Sequence, residues 1–311
     1  MISIYEYLLG KSKNNVKAVI KAKDQTLHKI VHKEIEDNGL EVNLNHIDVS
    51  ECTNFNGLFE TITGFNGDVS EWDVRNAKSM ERMFAGCENF KGDLSRWEVN
   101  NVTNMENMFV NCIEFDSNIS NWKTTSLEFA RYMFDGCYAF DQDLTKWDVS
   151  KIKFTACMFK NCKIFNHNVG NFNFYTADEM VAVFKGCEAF DQDVTNIFKG
   201  KHVININQLF NGCTAFTGKG LENWNTKYLD KADSAFKNCT SLNANLSEWD
   251  MTCLGQGESM FEGCKALDFD ASHWKFRLMS WPENYKKMFY NSGVKQVHRP
   301  IELSSARMIY K

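Results

Sequence analysis

The sequence of 311 residues has little proline and no long apolar run. Only Pro282 and Pro300 could interrupt regular structure, and both lie near the C-terminus. No stretch approaches the roughly 18 apolar residues that a membrane-spanning helix needs, so we expect no membrane insertion. The segment from Met1 to Lys11 also lacks the basic leader and apolar core of a secretory signal, which predicts a cytoplasmic protein.

Lysine and arginine are not concentrated within the part of the chain that follows residue 46. The formal net charge of the whole chain is −5. Because binding to a nucleic-acid backbone needs a concentrated basic surface, the sequence predicts no nucleic-acid partner. Hydrophobic residues make up 43% of the chain and aromatic residues 14%, which favours a buried core over disorder.

The abundant phenylalanines recur at a nearly constant spacing of about 25 residues. Such a period means that each unit buries its apolar face only against its neighbours, so that no unit is a domain alone. We call the phenylalanines that mark the period the repeat phenylalanines. They are Phe59, Phe84, Phe109, Phe134, Phe159, Phe184, Phe210, Phe236, Phe261 and Phe289.

Other residue types keep the register of the repeat phenylalanines. A tryptophan precedes most of them by 12 residues, as Trp97 precedes Phe109, and Phe172 and Phe198 take that place in two units. A cysteine follows most of them by three residues. If the units stack in register, identical side chains form ladders through the core. The cysteine column comprises Cys87, Cys112, Cys137, Cys162, Cys187, Cys213, Cys239 and Cys264.

The segment 102–112 predicts a short helix followed by a turn. Met105, Met108 and Phe109 have the i, i+3, i+4 spacing of one helical face. The residue before each column cysteine is glycine or asparagine, the two residues that tolerate a left-handed conformation past a helix end. The Trp-x-Val pattern at 97–99 alternates like a strand. Each coil is therefore predicted to hold one short strand and one short helix, which makes the chain an α/β solenoid.

The repeat pattern divides the chain into three parts. Residues 1–46 do not repeat; apolar residues at helical spacing precede Gly39, and an alternating segment follows it. Residues 47–292 carry the repeat, and residues 293–311 are polar and somewhat basic. Because an open solenoid end exposes apolar side chains, the first part is predicted to be an N-terminal cap and the last part a C-terminal cap or tail.

The pattern Trp-x-Val-x-x-Val-Thr-Asn-Met-x-x-Met-Phe-x-x-Cys at 97–112 resembles the BspA-type leucine-rich repeat family of bacterial surface proteins and lipoproteins. The resemblance covers about residues 47–292. It implies a right-handed, leucine-rich-repeat-like stack of about ten coils without enzymatic activity, whose surface serves adhesion or protein interaction. Family members are typically exported, so a cell-surface or virion location is the alternative to the cytoplasm.

Cysteine and histidine are the candidates for metal or disulfide chemistry. Side chains in a parallel ladder point the same way, whereas a disulfide needs Cβ atoms that face each other, and no cysteine pair has zinc-ligand spacing. Buried reduced thiols are therefore favoured over disulfides and over a metal. His28 and His32 share a face of the predicted cap helix, but without a third ligand a solvated helix face is favoured. No cofactor and no metal are expected.

An acidic column could bind calcium along the solenoid or could form one Asx turn in each coil. Asn replaces Asp at several positions, which dilutes the negative charge and favours the turns. The column comprises Asp68, Asp93, Asn118, Asp143, Asn168, Asp193, Asn245 and Asp270.

One stretch of coils departs from the polar pattern of the outer surface. Positions that are polar elsewhere become Tyr132, Cys157 and Val181 in consecutive coils, and Phe174 and Tyr175 lie in a segment that replaces the Trp-x-Val pattern. Stacked in register, these residues predict an exposed apolar strip, which usually marks an interface. Sequence drift with local repacking is the alternative.

The sequence contains no combination of nucleophile, base and orienting group that would indicate catalysis. It therefore predicts a non-catalytic repeat protein with an extended surface for interaction with, or adhesion to, another protein. The alternative is a structural or assembly component, such as a phage-associated one, that uses the rod as a spacer.

Overall fold

The computed structural model describes residues 18–169, 180–198, 203–277, 282–300 and 303. An N-terminal unit contains strand β1 (Ile20–Lys21), helix α1 (Asp24–Asn38) and strand β2 (Ile47–Asp48), with β1 and β2 paired in parallel. Three short 3₁₀ helices follow within the described ranges. They span Leu221–Asn223, Pro282–Tyr285 and Gln296–His298.

Successive coils lie directly against one another in register. In two runs of coils, isolated parallel bridges join one residue of a coil to its equivalent in the next, five residues before the repeat phenylalanine. We call this the bridge column. Since bridged residues are one repeat apart in sequence, the chain is a repeat solenoid. The bridge column runs through Asn54, Ser79, Asn104, Phe129 and Phe154, and again through Asn205, Lys231 and Gln256.

The predicted helix in each coil is wrong, because the segment around each repeat phenylalanine is a run of turns. Alternate backbone N–H groups donate to different partners: those of Met105, Asn107 and Phe109 donate to carbonyls of the next coil, while those of Met108 and Val110 donate three residues back. An α-helix would direct every N–H four residues back and leave the neighbouring coil without donors. Stacking therefore excludes a helix here.

Two residues of each run take left-handed backbone conformations, which also interrupts a helix. The glycine or asparagine before the column cysteine does so as predicted, with φ of 59° at Asn111 and 81° at Gly136. The second position, two residues before the repeat phenylalanine, was not predicted. It holds ordinary residues such as Arg82 (φ 56°) and Tyr132 (φ 55°). Each costs about 1–2 kcal/mol, which the bonds between coils must offset.

The predicted Trp-x-Val strand is also wrong. At 97–99 the chain is bracketed by turns, in which the N–H of Trp97 donates to the Leu94 carbonyl and that of Val102 donates to the Val99 carbonyl. In the described coils, strand-like pairing takes the form of isolated bridges, and none of them involves residues 97–99. The alternation that predicted a strand reflects which side chains enter the core.

Aromatic ladders fill the core, as the register of the sequence predicts. The rings of Phe84 and Phe109 stack with centroids 5.6 Å apart, and the indoles of Trp97 and Trp122 stack at 6.4 Å. The Trp97 Nε1–H donates to the Val69 carbonyl of the preceding coil at 3.1 Å. The tryptophan ladder thus joins apolar packing to a satisfied backbone acceptor.

One assignment to the tryptophan column needs correction. Phe198 was expected there, but Ile197 is the buried residue at that place, and Phe198 is half-buried with its ring edge-on to Trp224. The coil is one residue longer than most, so counting back from Phe210 shifts the register by one. Phe172 lies outside the described residues.

The cysteine column is buried as predicted, and its thiols have a backbone partner. The Cys112 Sγ donates to the carbonyl of Phe84 in the preceding coil at 3.0 Å, and the equivalent bond recurs at every other member of the column. Burial raises the pKa of Cys87 and of Cys264 to about 12, so these thiols stay protonated at neutral pH.

Helix α1 caps the first coil, and its two histidines replace the backbone donors of a missing coil. In later coils the carbonyls of Glu81 and Met83 accept N–H groups from the coil before them. The equivalent carbonyls of the first coil belong to Asn56 and Leu58. They accept the Nε2–H of His28 at 3.0 Å and of His32 at 2.8 Å. Both histidines are exposed, as the favoured interpretation of a solvated helix face predicts, and the capping role of their Nε2–H groups is an addition to it.

Backbone donors at the start of the first coil are also capped from α1. Both oxygens of Asp24 are used, because Oδ1 accepts the N–H of Thr53 at 2.8 Å and Oδ2 accepts its hydroxyl at 2.7 Å. At the other end, the Tyr285 hydroxyl donates to the Leu254 carbonyl at 2.7 Å. The division of the chain at 46/47 and 292/293 stays a prediction. Within the described ranges, no helix has both the length and the apolarity to cross a membrane.

We expect His32→Ala to lower the free energy of unfolding by about 1 kcal/mol, because it leaves a carbonyl of the first coil without its donor. Lys29→Ala, on the exposed face of the same helix, is the matched control and should change it by less than about 0.5 kcal/mol. Urea unfolding monitored by tryptophan fluorescence measures both. Equal effects of the two substitutions would contradict the capping role.

The cysteine column should make the protein sensitive to alkali. The folded pKa of Cys137 is raised by burial, so the stability that depends on its protonation is present below the unfolded pKa of about 8.5 and is lost as pH rises toward the folded value. Above about pH 9 the wild type should lose about 1.4 kcal/mol per pH unit more than Cys137→Ser, which keeps a donor that does not titrate. Urea unfolding at several pH values measures the difference. Parallel pH profiles would refute this.

Candidate functional site

The bridge column becomes aromatic in two neighbouring coils. Asn, Ser, Lys and Gln occupy the other described positions of this column, but Phe129 and Phe154 occupy these two. Both side chains are half-buried, and their rings stack with centroids 5.2 Å apart and planes 19° apart. The pair forms a partly exposed aromatic platform on a face that is otherwise polar.

A row of backbone N–H groups runs beside the bridge column, three residues before each repeat phenylalanine. We call these the row amides. In several coils a side-chain Oδ1 accepts the row amide at 2.8–3.0 Å. This oxygen belongs either to the bridge-column residue of the same coil or to the residue that carries the row amide in the preceding coil. The row amides with such an acceptor are those of Asn56, Glu81, Glu106, Asn207, Asp233 and Glu258.

Three consecutive row amides have no acceptor among the residues that the structure describes: those of Arg131, Ala156 and Val181. The first two follow directly from the aromatic platform. Phe129 and Phe154 stand where Asn104, in the coil before, supplies the oxygen that accepts the Glu106 amide. The change from asparagine to phenylalanine therefore removes the acceptor and leaves the donor.

The carbonyl groups of the same residues are satisfied. The Arg131 carbonyl accepts the N–H of Asn107 at 2.9 Å, and the Ala156 carbonyl accepts the N–H of Tyr132 at 3.0 Å. At this place the backbone consequently offers hydrogen-bond donors but uses its acceptors within the stack.

The guanidinium group of Arg131 lies over the aromatic platform. Its Cζ is 4.2 Å from the centroid of the Phe154 ring, and its Nη1 is 3.7 Å from Oε1 of Glu106. In the described part of the chain, this guanidinium donates no hydrogen bond, and the Arg131 side chain is about half-exposed. A stacked arginine with open donors is suited to a planar anion.

Glu106 lies beneath the guanidinium and is partly buried. Its Oε1 is inaccessible to solvent and has no hydrogen-bond partner among the described residues. Burial raises the pKa of Glu106; Arg131 acts in the opposite direction, and Glu81 adds to the rise. The carboxylate therefore compensates the charge of Arg131 without using its hydrogen-bond donors.

The neighbouring lysines are paired more closely. Lys153 lies 2.6 Å from Glu128, and Lys160 lies 2.8 Å from Asp135. Of Arg131, Lys153 and Lys160, Arg131 is thus the cation whose acidic partner lies beyond hydrogen-bond distance. The side-chain hydrogen-bond donors available to a ligand are therefore those of Arg131.

Only part of the apolar strip predicted from the sequence is exposed. Tyr132 is 37% exposed and Val181 is half-buried, but Cys157 is only 8% exposed, so its predicted exposure is wrong. The Cys157 side chain is directed into the solenoid rather than outward, and it lies close enough to Tyr132 for each group to shift the pKa of the other. Phe174 and Tyr175 lie outside the described residues. A role of this strip in binding stays a prediction.

Sequence reasoning missed Phe129 and Phe154, although a signal was available. Comparing the residue five positions before each repeat phenylalanine shows two aromatic residues in a polar column. Val181 was grouped with Tyr132 and Cys157, but the residue equivalent to those two is Ala182, which is buried. The site is therefore the platform of Phe129 and Phe154 with its open donors, and Tyr132 lies at its edge.

The reactive side chains near this site are not activated. The nearby Cys157 thiol raises the pKa of Tyr132, and burial raises the pKa of Cys157. Raised values keep both groups protonated, whereas a nucleophile needs a lowered pKa or an adjacent base. What the arrangement can do is hold an acceptor-bearing group next to an apolar one.

The acidic column forms the Asx turns that were favoured. Asp68 Oδ1 accepts the N–H of Ser70 at 3.0 Å, and Asp93 Oδ1 accepts that of Ser95 at 2.9 Å. The hydrogen bonds from Ser95 hold the pKa of Asp93 below its usual range. Across the described ranges, His, Cys, Asp and Glu side chains form no cluster of three or more that could hold a metal ion.

Comparison with solved structures finds distant likenesses. A leucine-rich repeat protein from Eubacterium ventriosum is 12% identical, with 89% of each chain covered and a TM-score of 0.30. The TLR13–ssRNA13 complex gives 8% identity over 89% of this chain and 56% of that chain, with a TM-score of 0.20. No curated protein matches the chain.

A family model gives a clearer result. The model described as "Mycoplasma protein of unknown function, DUF285" matches three overlapping segments, residues 29–140, 89–198 and 180–301. The overlap fits a chain built from repeats, because one model can be laid on the array in more than one place. Together the matches span most of the sequence, and the chain therefore belongs to the DUF285 family.

Proposed function

We propose that this chain is a non-catalytic repeat protein whose surface binds another protein. The observation that carries the proposal is the local change at Phe129, Arg131 and Phe154. There the core ladders continue unchanged, while the outer face loses a polar column and gains stacked rings beside open donors. A change confined to the surface is not required for folding, and partly exposed aromatic and arginine side chains are typical of binding sites.

The use of the reactive side chains supports the absence of catalysis. The column thiols donate to backbone carbonyls, the column aspartates form turns, and the cap histidines complete the first coil. Each of these groups therefore has a structural task. An enzyme would instead need a nucleophile, a base and an orienting group around one cavity.

The proposal also covers the type of repeat and the cellular location. The repeat pattern at 97–112 favours a BspA-type, right-handed leucine-rich-repeat-like stack of about ten coils, and with it a role in adhesion. Buried thiols in a long column favour a reducing compartment, which supports a cytoplasmic location over the cell surface or a virion. We propose no nucleic-acid partner, because the net charge is −5.

We expect the double substitution Tyr132→Asp and Val181→Asp to weaken capture of the partner protein by at least about tenfold, since each places a charge at the edge of the site. The whole chain serves as bait in extracts of its native cell, and captured proteins are quantified by mass spectrometry. Tyr228→Asp is the matched control, because Tyr228 is an exposed tyrosine (41%) in another coil.

Unchanged capture by the double variant would overturn the proposed binding surface. Light scattering on the purified chain provides the second readout. A closed homo-oligomer without a heterologous partner would favour the structural or assembly role instead.

A further inference from the structure

The site has three features that together specify a ligand. The Phe129–Phe154 platform is apolar and partly exposed, the amides of Arg131 and Ala156 have no acceptor in the described part of the chain, and the Arg131 guanidinium has open donors. A ligand must therefore bring hydrogen-bond acceptors and an apolar group together.

We propose that this site binds an acidic segment of a partner protein, in which a carboxylate lies beside an aromatic or large aliphatic side chain. The carboxylate accepts hydrogen bonds from the Arg131 guanidinium and from the backbone amides of Arg131 and Ala156. The apolar side chain packs on the platform. This inference rests on the proposed function and names the chemistry of the partner.

The backbone geometry favours a carboxylate over an added β-strand. A strand edge offers donors and acceptors in alternation, but the carbonyls of Arg131 and Ala156 already accept bonds from the adjacent coil. Only donors are open, and they follow one another from coil to coil, about 4.8 Å apart as in any parallel stack. A carboxylate can span two such donors, with one oxygen on each amide.

The cations around the site differ in the hydrogen-bond donors that they leave open. Lys153 and Lys160 are held by Glu128 and Asp135, whereas Arg131 lies 3.7 Å from Glu106 without a hydrogen bond. Its planar fork can take a carboxylate in two parallel bonds while it stays stacked on Phe154. A free inorganic anion would leave the platform uncovered, so the apolar group must come from the same molecule.

Phe129→Asn and Phe154→Asn are the decisive variants, because asparagine is the residue that this column carries at Asn104. Each should fold, should supply the missing acceptor to the amide two residues on, and should remove half of the platform. Arg131→Gln tests the guanidinium separately. Lys231→Asn is the control in the same column, since the amide of Asp233 is already bonded to Asn207.

The probe is a fluorescein-labelled peptide, Gly-Glu-Asp-Phe-Asp-Glu-Gly, titrated with the full chain by fluorescence anisotropy. We expect saturable binding that weakens at least about tenfold in Phe129→Asn, Phe154→Asn and Arg131→Gln, and that is unchanged in Lys231→Asn. The same peptide with Asn and Gln in place of its acids, or with Ala in place of Phe, should bind at least about tenfold more weakly. Equal binding of all three peptides would overturn the proposal.

Amide hydrogen exchange provides a readout that does not depend on affinity. In the free protein the amides of Arg131 and Ala156 should exchange faster than that of Glu106, and the acidic peptide should slow both. Phe129→Asn should slow the Arg131 amide without peptide. If the two amides are already as protected as Glu106, the site has no open donors and the proposal fails.

The outcomes separate this inference from the proposed function. Partner capture that persists in Phe129→Asn and Arg131→Gln, together with no peptide binding, would overturn the ligand chemistry and leave protein binding in place. Peptide binding by a chain that captures no protein would support the site and count against the proposed function. Self-association that these variants abolish would identify a second copy as the occupant and overturn the inference.

Discussion

The hydrogen bond from one coil to the next is the interaction on which the whole structure depends. Around each repeat phenylalanine, every second N–H is directed to the neighbouring coil, as that of Met105 is directed to Phe129, and the N–H groups between them close turns within the coil. The alternation fixes the register of the stack and forces two left-handed residues into each run. It also explains why the N-terminal cap must supply donors from side chains.

The ladders are a consequence of that register. Each coil repeats the backbone conformation of the preceding coil. A side chain that packs and hydrogen-bonds well in one coil therefore does so in the next, and a column is filled with one residue type. Trp97 and Cys112 show how, because each packs in the core and also bonds a carbonyl of the preceding coil. A column can change its residue freely only on the outer face, and the bridge column does so at Phe129 and Phe154.

The sequence is sufficient to predict the stacking, the ladders and the left-handed residues before the column cysteines, because each follows from a strict column such as Asn111 and Gly136. The helix could not be distinguished from a run of turns, since Met105, Met108 and Phe109 enter the core with the same spacing in both. The open amides of the site could not be predicted either, because they depend on which side-chain oxygen reaches which N–H, as Asn104 reaches Glu106.

Scalar couplings across hydrogen bonds test the central account most directly, because they connect a donor nitrogen to its acceptor carbonyl. The structure predicts a correlation from the Asn107 amide to the carbonyl of Arg131 in the next coil, where the N···O distance is 2.9 Å. A helix would instead connect Asn107 to the carbonyl of Thr103, four residues back. The correlation to Thr103 would contradict the stack as described.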